Sequence, residues 1–151
     1  MVSESARMST AAETRFRIDK PNSRPRAVKV IALDSRADVT MASLAEHEWS
    51  GATFFRAGEL TDTPQRLAGE IDRADLVVML VTAGEPANDV ERIGQACSGR
   101  RVTTTGLILD SAQVSDEELS RTLSRLRPWA LMLVIANSTE YVEDMLRALR
   151  A

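Results

Sequence analysis

A chain of 151 residues with 44% hydrophobic and 27% charged side chains is long enough to fold as one domain around its own core. Its longest apolar runs, residues 76–81 and 130–136, fall well short of the ~20 residues of a bilayer-spanning helix. The polar N-terminus lacks a secretory apolar segment, so no membrane association and a cytoplasmic location are expected. One cysteine, Cys97, allows no internal disulfide, and with one histidine, His47, it cannot make up a transition-metal site of nitrogen and sulfur ligands.

The charge is unevenly spread. Residues 1–26 hold six cationic side chains (Arg7, Arg15, Arg17, Lys20, Arg24, Arg26) against Glu4, Glu13 and Asp19, a balance of +3 that leaves −6 on residues 27–151. This divides the chain into a basic flexible or docking arm, 1–26, and a single α/β domain, 27–151. Phe16 and Ile18 alternate with Arg15, Arg17 and Asp19 in a short strand-like pattern, and Pro21 and Pro25 set the arm apart. Arg15, Phe16, Arg17, Ile18, Arg24 and Arg26 are the candidate partner-binding residues. The acidic residues of the arm argue against an organelle transit peptide, and Met8 is an alternative start to Met1.

Beyond the arm one cadence repeats five times. Residues 27–33 read as a strand, and 39–48 as a helix with Met41, Leu44 and Ala45 inward. Residues 51–55 give a second strand. Thr63 followed by Pro64 starts a second helix, whose Leu67 and Ile71 face inward. The wholly apolar run 76–81 predicts a central strand buried on both faces. Val90, Ile93, Ala96 and Cys97 form the stripe of a third helix, with Asn88 as the expected N-cap and Gly99 as the C-terminal cap. Residues 102–109 are the fourth strand. Ser115 and Glu118 are spaced as a capping box before a fourth helix bearing Leu119, Leu123 and Leu126, which Pro128 closes. Residues 130–136 are the fifth strand. A last helix carries Val142, Met145, Leu146 and Leu149, and with Tyr141 its wide apolar face is suited either to cover the sheet edge or to meet another subunit.

Strands alternating with helices predict a three-layer sandwich with a five-stranded parallel sheet. Strand order 2-1-3-4-5, as in flavodoxin-like folds, is the first expectation, and a Rossmann-like 3-2-1-4-5 is the alternative. Either places the strand ends, and any ligand, along one edge. That edge supplies the candidate ligand-binding residues Asp34, Thr82, Gly84, Asn88, Asp110 and Asn137, although Asp, Ser, Thr and Asn there also serve as helix caps.

Most edge chemistries are excluded by composition. The turn Asp34-Ser35-Arg36-Ala37-Asp38 has no glycine and two carboxylates, where a P-loop or a dinucleotide site needs bare backbone amides. A phosphoacceptor receiver needs an aspartate and a lysine where Thr82 and Asn137 stand, and a cobalamin site needs a histidine in the first turn. Cys97 sits on an apolar stripe, as a buried hydrophobe does. His47 reads as a helix-end surface residue, and Trp49 and Trp129 as packing residues. Basic pairs such as Arg100-Arg101 lack interleaved aromatics, so no nucleic-acid partner is expected. The stretch Ala74-Asp-Leu-Val-Val-Met-Leu-Val-Thr-Ala-Gly84 resembles the third-strand segment of FtsZ and tubulin-like GTPases, and Val28-Lys-Val-Ile31 their first strand, over about a third of the chain. It departs from them in lacking the glycine-rich loop after the first strand, and Glu85-Pro86-Ala87-Asn88-Asp89 replaces their phosphate loop. The resemblance therefore implies a shared fold rather than GTP binding.

Two functions remain. One is a non-catalytic accessory subunit or adaptor, without cofactor, that meets a protein partner or assembles as an oligomer, docking through the basic arm. The other is a small-molecule-binding domain or enzyme with its polar site at the strand-end edge. The residues alone leave it uncertain whether the chain is an enzyme.

Overall fold

The computed structural model describes residues 26–151. Strands β1 (Val28–Ala32), β2 (Ala52–Arg56), β3 (Leu76–Thr82), β4 (Thr103–Leu109) and β5 (Met132–Ala136) form one sheet with every neighbouring pair parallel. The strand order is β2-β1-β3-β4-β5, the first of the two expected topologies. Helices α1 (Ser35–Ala45), α2 (Ala57–Leu60), α3 (Pro64–Asp72), α4 (Val90–Gly99), α5 (Asp116–Leu126) and α6 (Thr139–Ala148) connect and cover it. Ser111–Gln113 adds one 3₁₀ turn.

The chain steps from β1 to β2, then crosses back over β1 to reach β3, and this reversal puts helices on both faces. Ala37, Met41 and Leu44 of α1 and Val142 and Leu146 of α6 pack on one face, against Val30, Val78, Leu80 and Leu107. Helices α2 to α5 pack on the other through Leu60, Leu67, Ile71, Ile93, Cys97 and Leu126, against Ile31, Val77, Met79 and Ile108. Alternate residues of β3 thus enter opposite cores, so its sequence is apolar throughout rather than alternating. Burying each such side chain contributes about 1.5–3 kcal/mol.

Several expectations need correction. Helix α1 starts at Ser35, not residue 39, because Asp34 caps it; Ala37 faces inward and Ala45 lies exposed. Helix α2 is too short for a periodic pattern and escaped sequence reading. The N-cap of α4 is Asp89 rather than Asn88, with left-handed backbone (φ 61°) and no side-chain capping bond. Gly99 is the last residue of that helix, and Arg101 takes the left-handed turn beyond it (φ 57°). Ser115 caps α5 by accepting from the Glu118 N–H, and Thr63 caps α3 by accepting from the Arg66 N–H.

The last helix takes the first of its two expected parts and covers the sheet. Met145 and Leu149 pack against the core behind the buried Val142 and Leu146, so the face of α6 is spent on the sheet and Tyr141 alone stays outward. Exposure falls on the edge strand instead. Leu131 is 81%, Met132 46%, Ile135 41% and Tyr141 48% exposed.

Lys29 is the one charged side chain inside β1 and is nearly buried. Its ammonium lies 3.2 Å from Glu70 of α3, 3.4 Å from Thr53 Oγ1 and 5.8 Å from the centre of the Phe55 ring. Burial pushes the Glu70 carboxyl up, but hydrogen bonds and charge from Lys29 and Arg73 outweigh it and hold the group below the ordinary glutamate value. A carboxyl lowered on folding adds stability above its unfolded pKa and gives it up as pH falls through the folded one. Denaturation midpoints measured from about pH 5 down to about pH 3 are therefore expected to fall less steeply for Glu70→Gln than for the parent chain.

Candidate functional site

In doubly wound folds the place to look is the crevice where the chain reverses, between the carboxyl ends of β1 and β3. Here Asp34 closes that crevice. Its Oδ2 accepts from the Thr82 N–H at 2.7 Å, and its Oδ1 accepts from the Thr82 hydroxyl at 2.9 Å and the Ala37 N–H at 2.8 Å. The carboxylate is 7% exposed, so one group caps α1 and ties the ends of the two central strands together. Around it the Leu33 N–H donates to Leu80 O at 2.9 Å and the Asn88 N–H donates to Leu33 O at 3.2 Å.

The remaining candidates sit above or beside this tie. Gly84 has a left-handed backbone (φ 85°) and its N–H donates to Thr122 Oγ1 at 3.0 Å. A Cβ there would lie 3.1 Å from Val114 Cγ1, so this glycine serves a tight turn against α5. Thr122, buried and absent from the sequence-level candidates, passes the bond on to the Glu118 carbonyl at 3.2 Å. Asp110, also left-handed (φ 56°), lies 3.4 Å from Arg36 Nη2, and Glu85 lies 3.8 Å from Arg36 Nη1. Arg36 thus spans the outer rim in two exposed pairs of small energetic weight. Asn137 is exposed beyond the end of β5. Of the six candidates, Asp34 and Thr82 bond to each other and Asn88 adjoins them through its backbone; Gly84, Asp110 and Asn137 serve separate turns.

Two hollows accompany these elements. One, of about 480 Å³, opens beside the tie and is lined by Asp34, Ser35, Asp38, Arg56, Asn88 and Asp89. Its charges are already paired in part, since Asp38 holds Arg56 at 2.8 Å and the Asp89 carboxylate accepts from the Thr61 hydroxyl at 3.1 Å. The larger, about 800 Å³, runs between α3 and α4 past Pro64, Leu67, Ala68, Arg92, Ala96 and Arg100. No sequence pattern pointed to it. Among the described residues no group of acidic, histidine and cysteine side chains is placed to hold a metal ion, and no helix is long and apolar enough to cross a membrane.

Cys97 is buried on α4, and desolvation pushes its thiol up to about 12 despite the nearby Arg100. Nucleophilic use of the folded protein's thiol is thereby suppressed. Iodoacetamide at mildly alkaline pH is expected to label Cys97 at least about 100-fold more slowly in the native protein than in denaturant, as mass spectrometry would report. Trp49 stacks on Phe54 at 5.8 Å and beneath the Arg147 guanidinium at 4.5 Å, and its Nε1–H donates to Leu44 O. His47 is a surface residue 3.4 Å from Glu143.

Arg15, Phe16, Arg17, Ile18 and Arg24 lie outside the described residues. Arg26 is the first described residue of the arm, and its N–H donates to the Arg150 carbonyl at 2.8 Å.

No protein-family model and no curated protein matches the chain. Among solved structures it is similar to translation elongation factor SelB from Methanococcus maripaludis, in complex with the GTP analogue GppNHp. The TM-score is 0.55 at 12% identity, over 83% of this chain and 33% of the other, so the chain spans about a third of that structure's length. At this identity the likeness shows the fold alone, a parallel α/β sheet of Rossmann-like kind.

Proposed function

We propose that the chain is a non-catalytic α/β subunit or adaptor that docks on a larger partner through its basic arm, residues 1–26. The observation that carries this reading is the occupation of Asp34. At the position where a doubly wound fold holds its ligand, both oxygens of the central carboxylate are engaged by Ala37 and Thr82. Asp34 and Thr82, two of the residues that suggested a site, therefore have structural duties. The charge division, +3 on the arm and −6 on the body, adds the feature a docking arm needs.

The test is a native-mass measurement of the full chain recovered from its own cells. A complex of fixed stoichiometry is expected, and the triple charge reversal Arg15→Glu, Arg17→Glu, Arg24→Glu is expected to release the chain from it. A complex that survives the reversal, or a chain that emerges free in both forms, would overturn the arm as the docking element.

The alternative, a small polar ligand at the strand-end edge, is favoured by the 480 Å³ hollow that Asp34 and Asn88 share with Arg56. It predicts that Arg56→Ala abolishes any ligand-dependent stabilisation.

A further inference from the structure

Among the described residues nothing pairs with the outer edge of the sheet at β5. Proteins blunt such edges with charges, prolines, bulges or a covering element. Strand β5, Met132-Leu-Val-Ile-Ala136, has no charged residue and no proline. It presents Met132 and Ile135 to solvent, with Leu131 just before it and Tyr141 of α6 beside it.

The chain contains a segment suited to this edge. Thr14-Arg-Phe-Arg-Ile-Asp19 alternates apolar and charged residues in the period of a strand, so a strand over it would set Phe16 and Ile18 on one face. The arm leaves the body at Arg26, fixed to the Arg150 carbonyl and two residues ahead of β1, at the end of the sheet where the strands begin. From Arg26 back to Asp19 an extended chain reaches about 23 Å. Four strand spacings, from β1 to a position outside β5, come to about 19 Å. Pro21 and Pro25 favour the extended backbone that this path requires. Residues 19 to 14 would then climb the edge, and the segment would run antiparallel to β5, an arrangement that many parallel α/β sheets adopt at an edge.

We propose that residues 14–19 close the sheet as a sixth, antiparallel strand on β5 in the free protein, pairing its open backbone edge and setting Phe16 and Ile18 beside one of its two apolar faces. The charge of the arm opposite to that of the body favours the return. A protein that takes hold of the arm must then lift it from β5, so arm and edge are offered together. The pairing stands on the edge and the segment, and holds whether or not the adaptor reading does.

Hydrogen exchange of the full chain tests it. The double variant Phe16→Asp, Ile18→Asp is expected to speed exchange of the outward amides of residues 132–136 by about tenfold or more, at any protein concentration, with β1 and β3 amides unchanged as the control for folding. Equal β5 exchange in parent and variant would overturn the proposal. So would protection that rises with protein concentration and ignores the variant, which would assign the edge to a second copy of the chain.

Discussion

Replacing Asp34 by alanine is expected to lower the unfolding free energy by about 3 kcal/mol, the largest loss from any single polar side chain among the described residues. The change removes a helix N-cap, usually worth about 1 kcal/mol, and leaves the buried Thr82 amide and hydroxyl without their acceptor. Asp34→Asn keeps the shape, and an amide oxygen at the Oδ1 position can still accept from the Ala37 N–H and the Thr82 hydroxyl, but its NH2 group then faces the Thr82 N–H; a loss of about half the size is expected. Urea denaturation of the two variants checks this. The comparison is informative because a ligand-binding aspartate behaves in the opposite way: removing a carboxylate held ready for a ligand leaves stability unchanged or raises it. A loss under about 0.5 kcal/mol for Asp34→Ala would show that the carboxylate does not hold the strand ends together.

Gly94 is the second sensitive position. In the middle of a helix, glycine to alanine normally stabilises by up to about 1 kcal/mol. Here a Cβ would lie 2.6–2.7 Å from Trp129 Cε3, Cβ and Cδ2, so Trp129 packs directly on the backbone of α4. Trp129 cannot yield easily, because its carbonyl accepts from the Thr104 hydroxyl at 2.5 Å and its amide donates to the Leu126 carbonyl at 2.9 Å. Gly94→Ala is expected to destabilise by about 2 kcal/mol despite the helix preference, and Gly94→Val by more. Combining Gly94→Ala with Trp129→Leu is expected to cost less than the two single changes added together, since two of the three close contacts, Cε3 and Cδ2, leave with the ring. Thermal unfolding of the four proteins closes the cycle. Gly106 makes a useful contrast. Its added Cβ would meet Leu133 Cδ2 at 2.7 Å, the far end of a flexible side chain on the edge strand, and that neighbour can move.

The fold was legible where local chemistry and burial agree. The all-apolar run of β3 marked a strand covered on both faces, and Thr63-Pro64 and Ser115 marked helix starts that the structure retains. What escaped depends on partners distant in sequence. Asp34 could be seen as a cap for α1, but its bonds to Thr82 cross 48 positions and no local pattern encodes them. Lys29 interrupts an apolar strand, and only the fold brings Glu70 beneath it. At α4, Asn88 and Asp89 are chemically equivalent N-caps, and the turn set by the Asn88 bond to Leu33 decides between them. The candidate site was legible as a location and not as an arrangement. Its residues were found by their place at strand ends, where caps and ligand groups use the same side chains.

We propose that the central carboxylate at the edge of this sheet is bound up in the fold and that the protein works through contacts with another protein. Thermal unfolding of the full chain in the presence of nucleotides, flavins and acyl-CoA tests it most directly. A ligand at 100 times its Kd adds about 2.7 kcal/mol to the native state, a rise of several degrees in Tm for a domain of this size. No rise is expected with any of these compounds, and a rise of several degrees is expected when the chain is held in its native complex. A clear rise with one of the small molecules, lost in Arg56→Ala, would contradict it.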